Sequence, residues 1–407
     1  MGSGKAQERN RQRRNTGILR CAQNDSPSYH MAHLMTGPKI WERNLRVIQQ
    51  ILKAALAAGM LAGLLAATGS IARGETCTTQ SGLSDTERDG LAAAARGLAA
   101  KVLANDTDGL RTASVAEVAS DFAALQYLVR STAPRLAGGT ATVDQVYLLD
   151  AASLKRNSDG SAPDAQFFCS LNRSTMEADF LIPALPPGKY GFAIVNVAGA
   201  PGATQPAAGA TQPAPWRLSF LLRQEPAGQP QSKWLLAGFF PKPVTAAGHD
   251  GLWYWTQARQ LVKDKQPWNA WLYYQAATML LRPADFIVSS HLDKLRSEQA
   301  AAAPPALSDG VSSDAPLVVK GADGAEYHFI GLGVDDSLGQ STLDIAAHLH
   351  AEPLSDPAAA RKRNSDAMAA LVAAYPELRK PFHGVWVYAE STGQHPFATE
   401  QPMSDIK

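Results

Sequence analysis

The segment DGLWYWTQARQLVKDKQPWNAWLYYQAATMLLRPADF, residues 250–286, decides the helical part of this chain. Two short amphipathic patterns lie in it, and Pro267 fits the first turn of the second helix, where the missing N–H group is harmless. The apolar residues of the second pattern occupy two faces, so we expect this helix to be buried on two sides. The segment therefore predicts an antiparallel helical hairpin that holds parts of the molecule together. The apolar stripe predicted for its first helix consists of Leu252, Trp255, Ala258, Leu261 and Val262.

The small residues of this hairpin are spaced as in a known repeat. The unit resembles a tetratricopeptide repeat at Ala258, Ala270, Tyr274, Ala277 and Pro283. It departs from that pattern at Gln257, where Leu is usual, and Pro283 comes one residue late. A solenoid needs about three repeats to bury its faces, and one unit is visible in this chain. We therefore expect a third helix from Ser290 and the sheet of the preceding domain to cover the hairpin.

The hairpin also supplies the predicted binding residues. Trp253 and Tyr254 lie outside the apolar stripe, so we expect them to be exposed, where their flat faces suit stacking on a sugar or a peptide. A tetratricopeptide-like groove would lie beside Ala258. The candidate binding residues are therefore Trp253, Tyr254 and Ala258.

The region before the hairpin starts with two helical patterns and continues as strands. Ser84 and Glu87 form a capping box at the first helix, and the second covers about 120–136. Tyr190, Phe192 and Ile194 then alternate as a sheet with one covered face requires. The predicted strands cover 146–149, 166–171, 178–182, 189–197, 216–223 and 233–240. Residues 75–244 are thus predicted to form an α+β domain.

The order of these elements, which closes with KWLLAGFF at 233–240, is similar to the NTF2-like (cystatin-like) fold. That resemblance implies a pocket of the kind in which isomerases and dehydratases use a buried Asp as base and a Tyr or second acid to stabilise the enolate. The pocket candidates are Asp144, Tyr147, Asp150, Asp179 and Tyr190. The turn LPPGKY at 185–190 also resembles the strand entry of prealbumin-like β-sandwiches. A β-sandwich with leading helices is therefore the alternative fold.

The remainder of the chain is predicted to form a second α+β unit. The hairpin and third helix occupy 245–303, a linker covers 304–315, and a C-terminal α+β domain covers 316–407. Ser355 is the expected N-cap of its helix at 356–375, with Pro357 in the first turn. The predicted strands cover 317–320, 326–334, 342–352, 382–390 and 397–400.

The N-terminal part of the chain predicts export. Residues 1–34 are polar, basic and without periodicity, and we interpret them as a disordered, over-extended start. Residues 35–74 have the order of a secretory signal peptide, with basic residues, an uncharged Ala/Leu/Gly run and a small-residue cleavage region. The protein is therefore expected to be periplasmic or secreted. The alternative is an uncleaved helix that anchors it in the inner membrane, since the run approaches the ~18 residues of a spanning segment.

Cysteine usage agrees with export. Cys77 and Cys169 are the two cysteines that follow the signal. An even pair in an oxidising compartment predicts one disulfide, which would tie the mature N-terminus to a strand. The alternative is one buried thiol and one loose thiol.

A metal site has weak support from the sequence. His348 and His350 are two residues apart in a predicted strand, so their side chains would share one face. A third ligand would have to come from His328, His383 or His395, none of which the spacing places nearby. We therefore expect no metal, with His348 and His350 as the weak candidates.

The remaining chemistry favours a binding or assembly protein. The chain contains no GxSxG elbow, Walker A loop, dinucleotide-binding GxGxxG or EF-hand loop, so no cofactor is expected. A net charge of +1 gives no reason to expect nucleic acid. We expect an exported, non-enzymatic protein that acts through a protein partner and touches the membrane only through its signal or anchor. The alternatives are an isomerase or dehydratase in the NTF2-like pocket and carbohydrate binding by the aromatic hairpin.

Overall fold

The computed structural model describes residues 75–170, 177–198, 215–226, 233–322, 324–338 and 342–407, and within them the protein is mixed α+β, as the sequence predicts. The expected over-extended start, signal peptide and anchor lie outside these residues. The helices are α1 (Asp85–Leu103), α2 (Thr107–Thr112), α3 (Ala116–Ser120), α4 (Ala123–Thr132), α5 (Gly251–Lys263), α6 (Pro267–Leu281), α7 (Ser290–Ala301) and α8 (Pro357–Ala374). The strands of the first half are β1 (Thr76–Thr79), β2 (Thr140–Asp150), β3 (Ala165–Ser170), β4 (Glu177–Ile182), β5 (Lys189–Ala198), β6 (Trp216–Glu225) and β7 (Lys233–Pro243). Those of the second half are β8 (Thr245–Ala246), β9 (His249–Asp250), β10 (Ile287–Ser289), β11 (Leu317–Lys320), β12 (Glu326–Asp335), β13 (Asp344–His350), β14 (Gly384–Glu390) and β15 (Phe397–Pro402).

The first sheet is antiparallel, with the order β1-β2-β5-β6-β7, and α1 lies on one of its faces. The predicted capping box is present, because the Glu87 N–H donates to Ser84 Oγ at 3.3 Å and Ser84 Oγ donates to the Glu87 carboxylate. A Cβ at Gly191 of β5 would overlap a methyl carbon of Leu91, so this glycine lets α1 approach the sheet closely. The buried face of α1 consists of Leu91, Ala95, Leu98, Ala99 and Val102.

The opposite face of the first sheet is covered by a three-stranded sheet with the order β10-β4-β3. Phe180 of β4 and Phe192 of β5 meet between the sheets with ring centroids 5.3 Å apart, and both are at most 1% exposed. The expectation of one covered face is therefore wrong, because helices lie on one side and a second sheet on the other. The NTF2-like and sandwich assignments both stay predictions.

The hairpin α5–α6 is fastened to this first region after its second helix. Strand β10, which the sequence did not predict, pairs antiparallel with β4 and sets Ile287 opposite Phe180. Arg217 of β6 donates to the carbonyl oxygens of Leu280 and Leu281 at 3.2 and 3.4 Å, which satisfies groups that end α6. Contacts therefore cross the predicted boundary at residue 244.

The second five-stranded sheet has the order β11-β12-β13-β14-β15, in which β13 and β14 are parallel and the other pairs antiparallel. Helix α8 connects the parallel strands and packs on β14. Its N-cap is Asp356, whose carboxylate accepts from Ala358 N and Ala359 N at 3.0 and 3.3 Å, so the expectation of Ser355 is wrong by one residue.

The hairpin and this second sheet share one hydrophobic core, which extends from Ala246 to Ile406. The rings of Trp268 on α6 and Tyr375 have centroids 3.9 Å apart. Leu295 of the expected third helix, α7, is completely buried. More of the remaining cover comes from the following sheet, whose strand β12 packs on α6, than from the preceding sheet, which was expected to provide it and contacts α6 through β7 and Arg217. The predicted linker belongs to the same core through Leu307, which is 3% exposed.

The predicted disulfide is present and joins Cys77 of β1 to Cys169 of β3, which are 92 positions apart in sequence. It ties the first strand to the small sheet. Of the helices in the part of the chain that the structure describes, none is long and apolar enough to cross a membrane.

Candidate functional site

The turn before α5 places an aromatic pair at the edge of the hairpin. Ala247 and Gly248 join β8 to β9 with φ angles of 47° and 78°, the pair of positive values that a tight type I′ hairpin requires. Asp250 then caps α5, because its carboxylate accepts from Trp253 N at 2.8 Å. His249 and Trp253 consequently stack, with centroids 3.6 Å apart and planes 6° from parallel.

These two rings begin a continuous aromatic cluster that reaches the second sheet. Trp253 and Tyr254 meet edge to face at 5.0 Å, and Tyr273 of α6 lies 5.2 Å from Tyr254. Tyr273 in turn meets Phe382, just before β14, at 5.9 Å. Burial raises the pKa of Tyr273, so its hydroxyl stays protonated at neutral pH.

A cavity of about 230 Å³ lies where this cluster meets the second sheet. Trp253, Tyr254 and Tyr273 contribute aromatic side chains to its wall, His249 and His383 contribute histidines, and the accessible lining is more polar than apolar. Its lining residues are Ala247, His249, Trp253, Tyr254, Tyr273, Thr342, Leu343, Pro381 and His383.

Two of the three predicted binding residues, Trp253 and Tyr254, line this cavity. Trp253 is half-buried and lines it. Tyr254 also lines it but is 1% exposed and donates to the Ala246 carbonyl oxygen at 2.9 Å, so the expectation that it is exposed is wrong. Ala258 is completely buried and does not line the cavity.

The apolar stripe predicted for α5 is also partly wrong, because two of its residues are exposed. Leu252 is 60% and Val262 44% exposed, because the second sheet packs against α6 and one side of α5 stays in solvent. Tyr254 occupies the buried position that Leu252 was expected to take.

His383 is held rigidly at the cavity wall. Its backbone N–H donates to the Leu343 carbonyl oxygen at 2.9 Å, and its carbonyl oxygen accepts from Met403 N at 2.8 Å. Its ring atom Nδ1 lies 3.0 Å from Asp344 Oδ1, a carboxylate that is 1% exposed. This His–carboxylate pair fixes the orientation of the imidazole.

Buried carboxylates collect at this end of the second sheet. Asp335 ends β12 and lies directly opposite Asp344, which begins β13. Burial raises the pKa of Asp344, an effect that His383 partly offsets, and burial also raises the pKa of Glu400 on β15. Burial and the neighbouring Asp335 raise the pKa of Asp336 to about 6. The strand ends therefore place several carboxylates in surroundings that disfavour their charged form.

Three of these groups have donor atoms close enough to hold a metal ion. Asp344, His383 and Glu400 each offer one donor atom, and these three atoms lie within 4.8 Å of one another. In the stretches that the structure describes, this is the one group of three or more potential metal ligands. The weak candidates from the sequence do not belong to it. His348 Nδ1 lies 2.7 Å from the Glu390 carboxylate, and His350 pairs across the sheet with His328.

The residues expected in an NTF2-like pocket are not brought together. Asp144 is exposed, Asp150 Oδ1 accepts from Ala152 N at 3.0 Å, and Asp179 accepts from Gln166 at 2.7 Å. Tyr147 and Tyr190 are buried between the two sheets of the first region. Burial raises the pKa of both tyrosines. The five residues do not share one cavity wall.

A second cavity of about 460 Å³ lies between the edge of the second sheet and α8. His350, Lys362 and Arg363 line it. Its cations are already engaged, since Lys362 pairs with Asp366 at 2.6 Å and Arg363 donates to the Glu352 carbonyl oxygen at 2.7 Å. The smaller aromatic cavity is therefore the better candidate site.

No family model, curated protein or solved structure matches this chain in the three comparisons. The assignment of function accordingly rests on the geometry of the site. The sequence analysis missed Asp344 and Glu400, and it considered His383 only beside His348. Their separations along the chain follow no local motif, so no sequence signal links them.

Proposed function

We propose that this chain is an exported binding protein and that the cavity between the helical hairpin and the second sheet holds a compact ring compound. The observation that carries the proposal is the meeting of aromatic walls, Trp253 and Tyr273, with the imidazoles of His249 and His383 around about 230 Å³. Ligand sites are typically concave and furnished with a few convergent polar groups. The disulfide supports export, because such bonds persist in oxidising compartments.

The size of the cavity narrows the ligand class. Sites for drug-sized ligands occupy roughly 300–1,000 Å³, so a smaller cavity fits one substituted ring. Trp and Tyr walls favour a flat or saturated ring face, and the imidazoles favour hydroxyl or carbonyl substituents. A monosaccharide-sized compound meets both requirements.

The other expected functions have less support. Protein interaction through a tetratricopeptide-like groove needs an accessible surface beside Ala258, which is buried. An isomerase or dehydratase needs its acid and its tyrosine in one pocket, and the candidate residues lie apart.

A binding screen with purified protein tests the proposal. The probes are a panel of monosaccharides and a panel of free aromatic amino acids, measured first by thermal shift and then by isothermal titration calorimetry. We expect at least one probe to bind, and Trp253→Ala or Tyr273→Ala to weaken its binding about fivefold or more, since stacking on a ring contributes about 1 kcal/mol or more.

The matched control is Trp234→Ala, which removes the same ring from β7 of the first sheet and should leave the affinity unchanged. The proposal is overturned if no probe binds, or if a probe binds equally well to wild type and to both cavity variants.

A further inference from the structure

We propose that Asp344, His383 and Glu400 form a binding site for a divalent transition-metal ion, with Zn²⁺ as the best-matched ion. The inference goes beyond the proposed ligand cavity and does not depend on it. One imidazole and two carboxylates are donors that zinc accepts. Asp344 begins β13, His383 directly precedes β14 and Glu400 lies on β15, so the pairing of these neighbouring strands brings the three together.

The distances suit a single small ion. Zinc binds nitrogen and oxygen at about 2.0–2.2 Å, which sets two donors of one tetrahedral ion ~3.4 Å apart. His383 Nδ1 and Asp344 Oδ1 are 3.0 Å apart, and a donor atom of Glu400 lies within 4.8 Å of one donor atom each of Asp344 and His383. A rotation of the Glu400 side chain closes the remaining gap.

An unpartnered oxygen points independently to a cation. Glu400 Oε1 is buried and has no hydrogen-bond partner. A buried carboxylate oxygen without a partner costs free energy, and a metal bond would satisfy it. Asp344 Oδ1 has His383 as its hydrogen-bond partner in the absence of an ion. Of these two oxygens, only Glu400 Oε1 therefore depends on an ion for a partner.

A glycine next to His383 allows the Glu400 carboxylate to approach the other two donor groups. Gly384, next to His383, pairs with Pro402 across the strands. A Cβ on Gly384 would lie 3.0 Å from Glu400 Oε1 and 2.6 Å from the Gln401 carbonyl oxygen, so only glycine leaves the carboxylate this space. The hydrogen bonds of the His383 backbone to Leu343 and Met403 hold the imidazole at the same edge.

Surrounding charge favours a cation as well. Asp335, which lies opposite Asp344, is 2% exposed and adds a second carboxylate to the buried edge. A bound dication would compensate charge that the single imidazole leaves uncompensated. Three protein ligands leave a coordination position for water or for a ligand, and His383 also lines the aromatic cavity.

Zinc binding to the purified, chelator-treated full chain tests the inference. Titration calorimetry with zinc chloride alone should show one ion per chain. Glu400→Gln and Asp344→Asn keep the side-chain shape but remove a charged ligand, and each should weaken zinc binding tenfold or more. Anomalous diffraction at the zinc edge should place the ion between these three residues.

The matched control is Glu390→Gln, which changes the His–Glu pair at His348 on the same sheet. It should bind zinc as wild type does. If Asp344→Asn fails to fold, Glu400→Gln on the half-buried strand β15 decides the matter. Absence of stoichiometric zinc binding overturns the inference, as does zinc affinity that survives both Glu400→Gln and His383→Gln.

Discussion

The two five-stranded sheets of this protein differ in the burial of their acidic side chains. The first sheet is packed on both faces by apolar groups, and its strand residue Asp144 is exposed. The second sheet buries Asp335 and Asp344 to 2% and 1% exposure and sets them opposite each other. Burying like charges together is unfavourable, and such arrangements concentrate at functional sites. In the functions proposed above, the first sheet is accordingly a scaffold and the second carries the binding groups.

The largest expected effect tests the scaffold role of the first sheet. Phe192→Ala should lower the free energy of unfolding by about 3–5 kcal/mol, because it leaves a cavity between two sheets where Phe192 contacts the rings of Tyr147, Phe180 and Phe286. Denaturant unfolding measures this loss. Phe168→Ala, on the outer face of the small sheet at 70% exposure, should change it by less than about 0.5 kcal/mol. A similar loss in both variants would contradict the assignment of this core.

The disulfide should contribute the next largest effect. Replacing both Cys77 and Cys169 by Ser removes a link across 92 residues and should lower the free energy of unfolding by about 2–4 kcal/mol. Ligand and zinc binding should persist at temperatures where the variant is folded, since the site lies on the other sheet. An unchanged unfolding midpoint under oxidising conditions would show that the link is dispensable.

The acids of the second sheet predict a distinctive pH dependence. The pKa of Asp336 is about 6 in the folded protein, against an ordinary value of 3.8. Between these values the folded state binds the proton more tightly than the unfolded chain, so the unfolding free energy falls as pH rises through this window. Asp336→Asn should reduce that fall, to which Asp344 and Glu400 also contribute, and stabilise the protein at about pH 8 by up to ~3 kcal/mol.

Unfolding midpoints measured from about pH 4 to pH 8 check this slope. The control is Asp144→Asn on the first sheet, whose solvated side chain should leave the profile as in wild type. If the unfolding midpoints of wild type and Asp336→Asn depend on pH in the same way, the buried acid of the second sheet does not destabilise the protein as predicted.

The smallest expected effect lies in the helices between the sheets. Glu298 of α7 accepts from Trp255 Nε1 at 2.7 Å and from the Arg259 guanidinium at 2.7 and 2.8 Å. Arg259 holds the pKa of Glu298 below its usual range, so this stabilisation is present above about pH 4.5 and is lost as pH falls. Glu298→Gln should cost about 1 kcal/mol at neutral pH, since the pair is partly exposed.

Lys320→Gln is the control for that pair. Lys320 meets Glu326 at 3.3 Å with its side chain 75% exposed, so its loss should be close to zero in denaturant unfolding. Equal effects at both pairs would mean that Glu298 does not join the helices as the structure indicates.

Local patterns predicted the elements well and their partners poorly. The alternation of Tyr190, Phe192 and Ile194 identified β5, and the capping box at Ser84 identified the start of α1. The stripe of α5 was right at Trp255 and Ala258 and wrong at Leu252 and Val262, because an isolated amphipathic pattern does not state which neighbour will cover it. Strand β10 was missed, because three residues have no periodicity of their own.

The sequence by itself determined the α+β class, the helical hairpin and the pair of cysteines that forms the disulfide. These features depend on periodicity, on caps and on cysteine number, which act over a few residues or require only composition. The tertiary structure alone decided that Trp253 lines a cavity, that Tyr254 is buried, and that Asp344, His383 and Glu400 meet. Those positions come from different strands, and the pairing of β13 with β14 and of β14 with β15 brings them together.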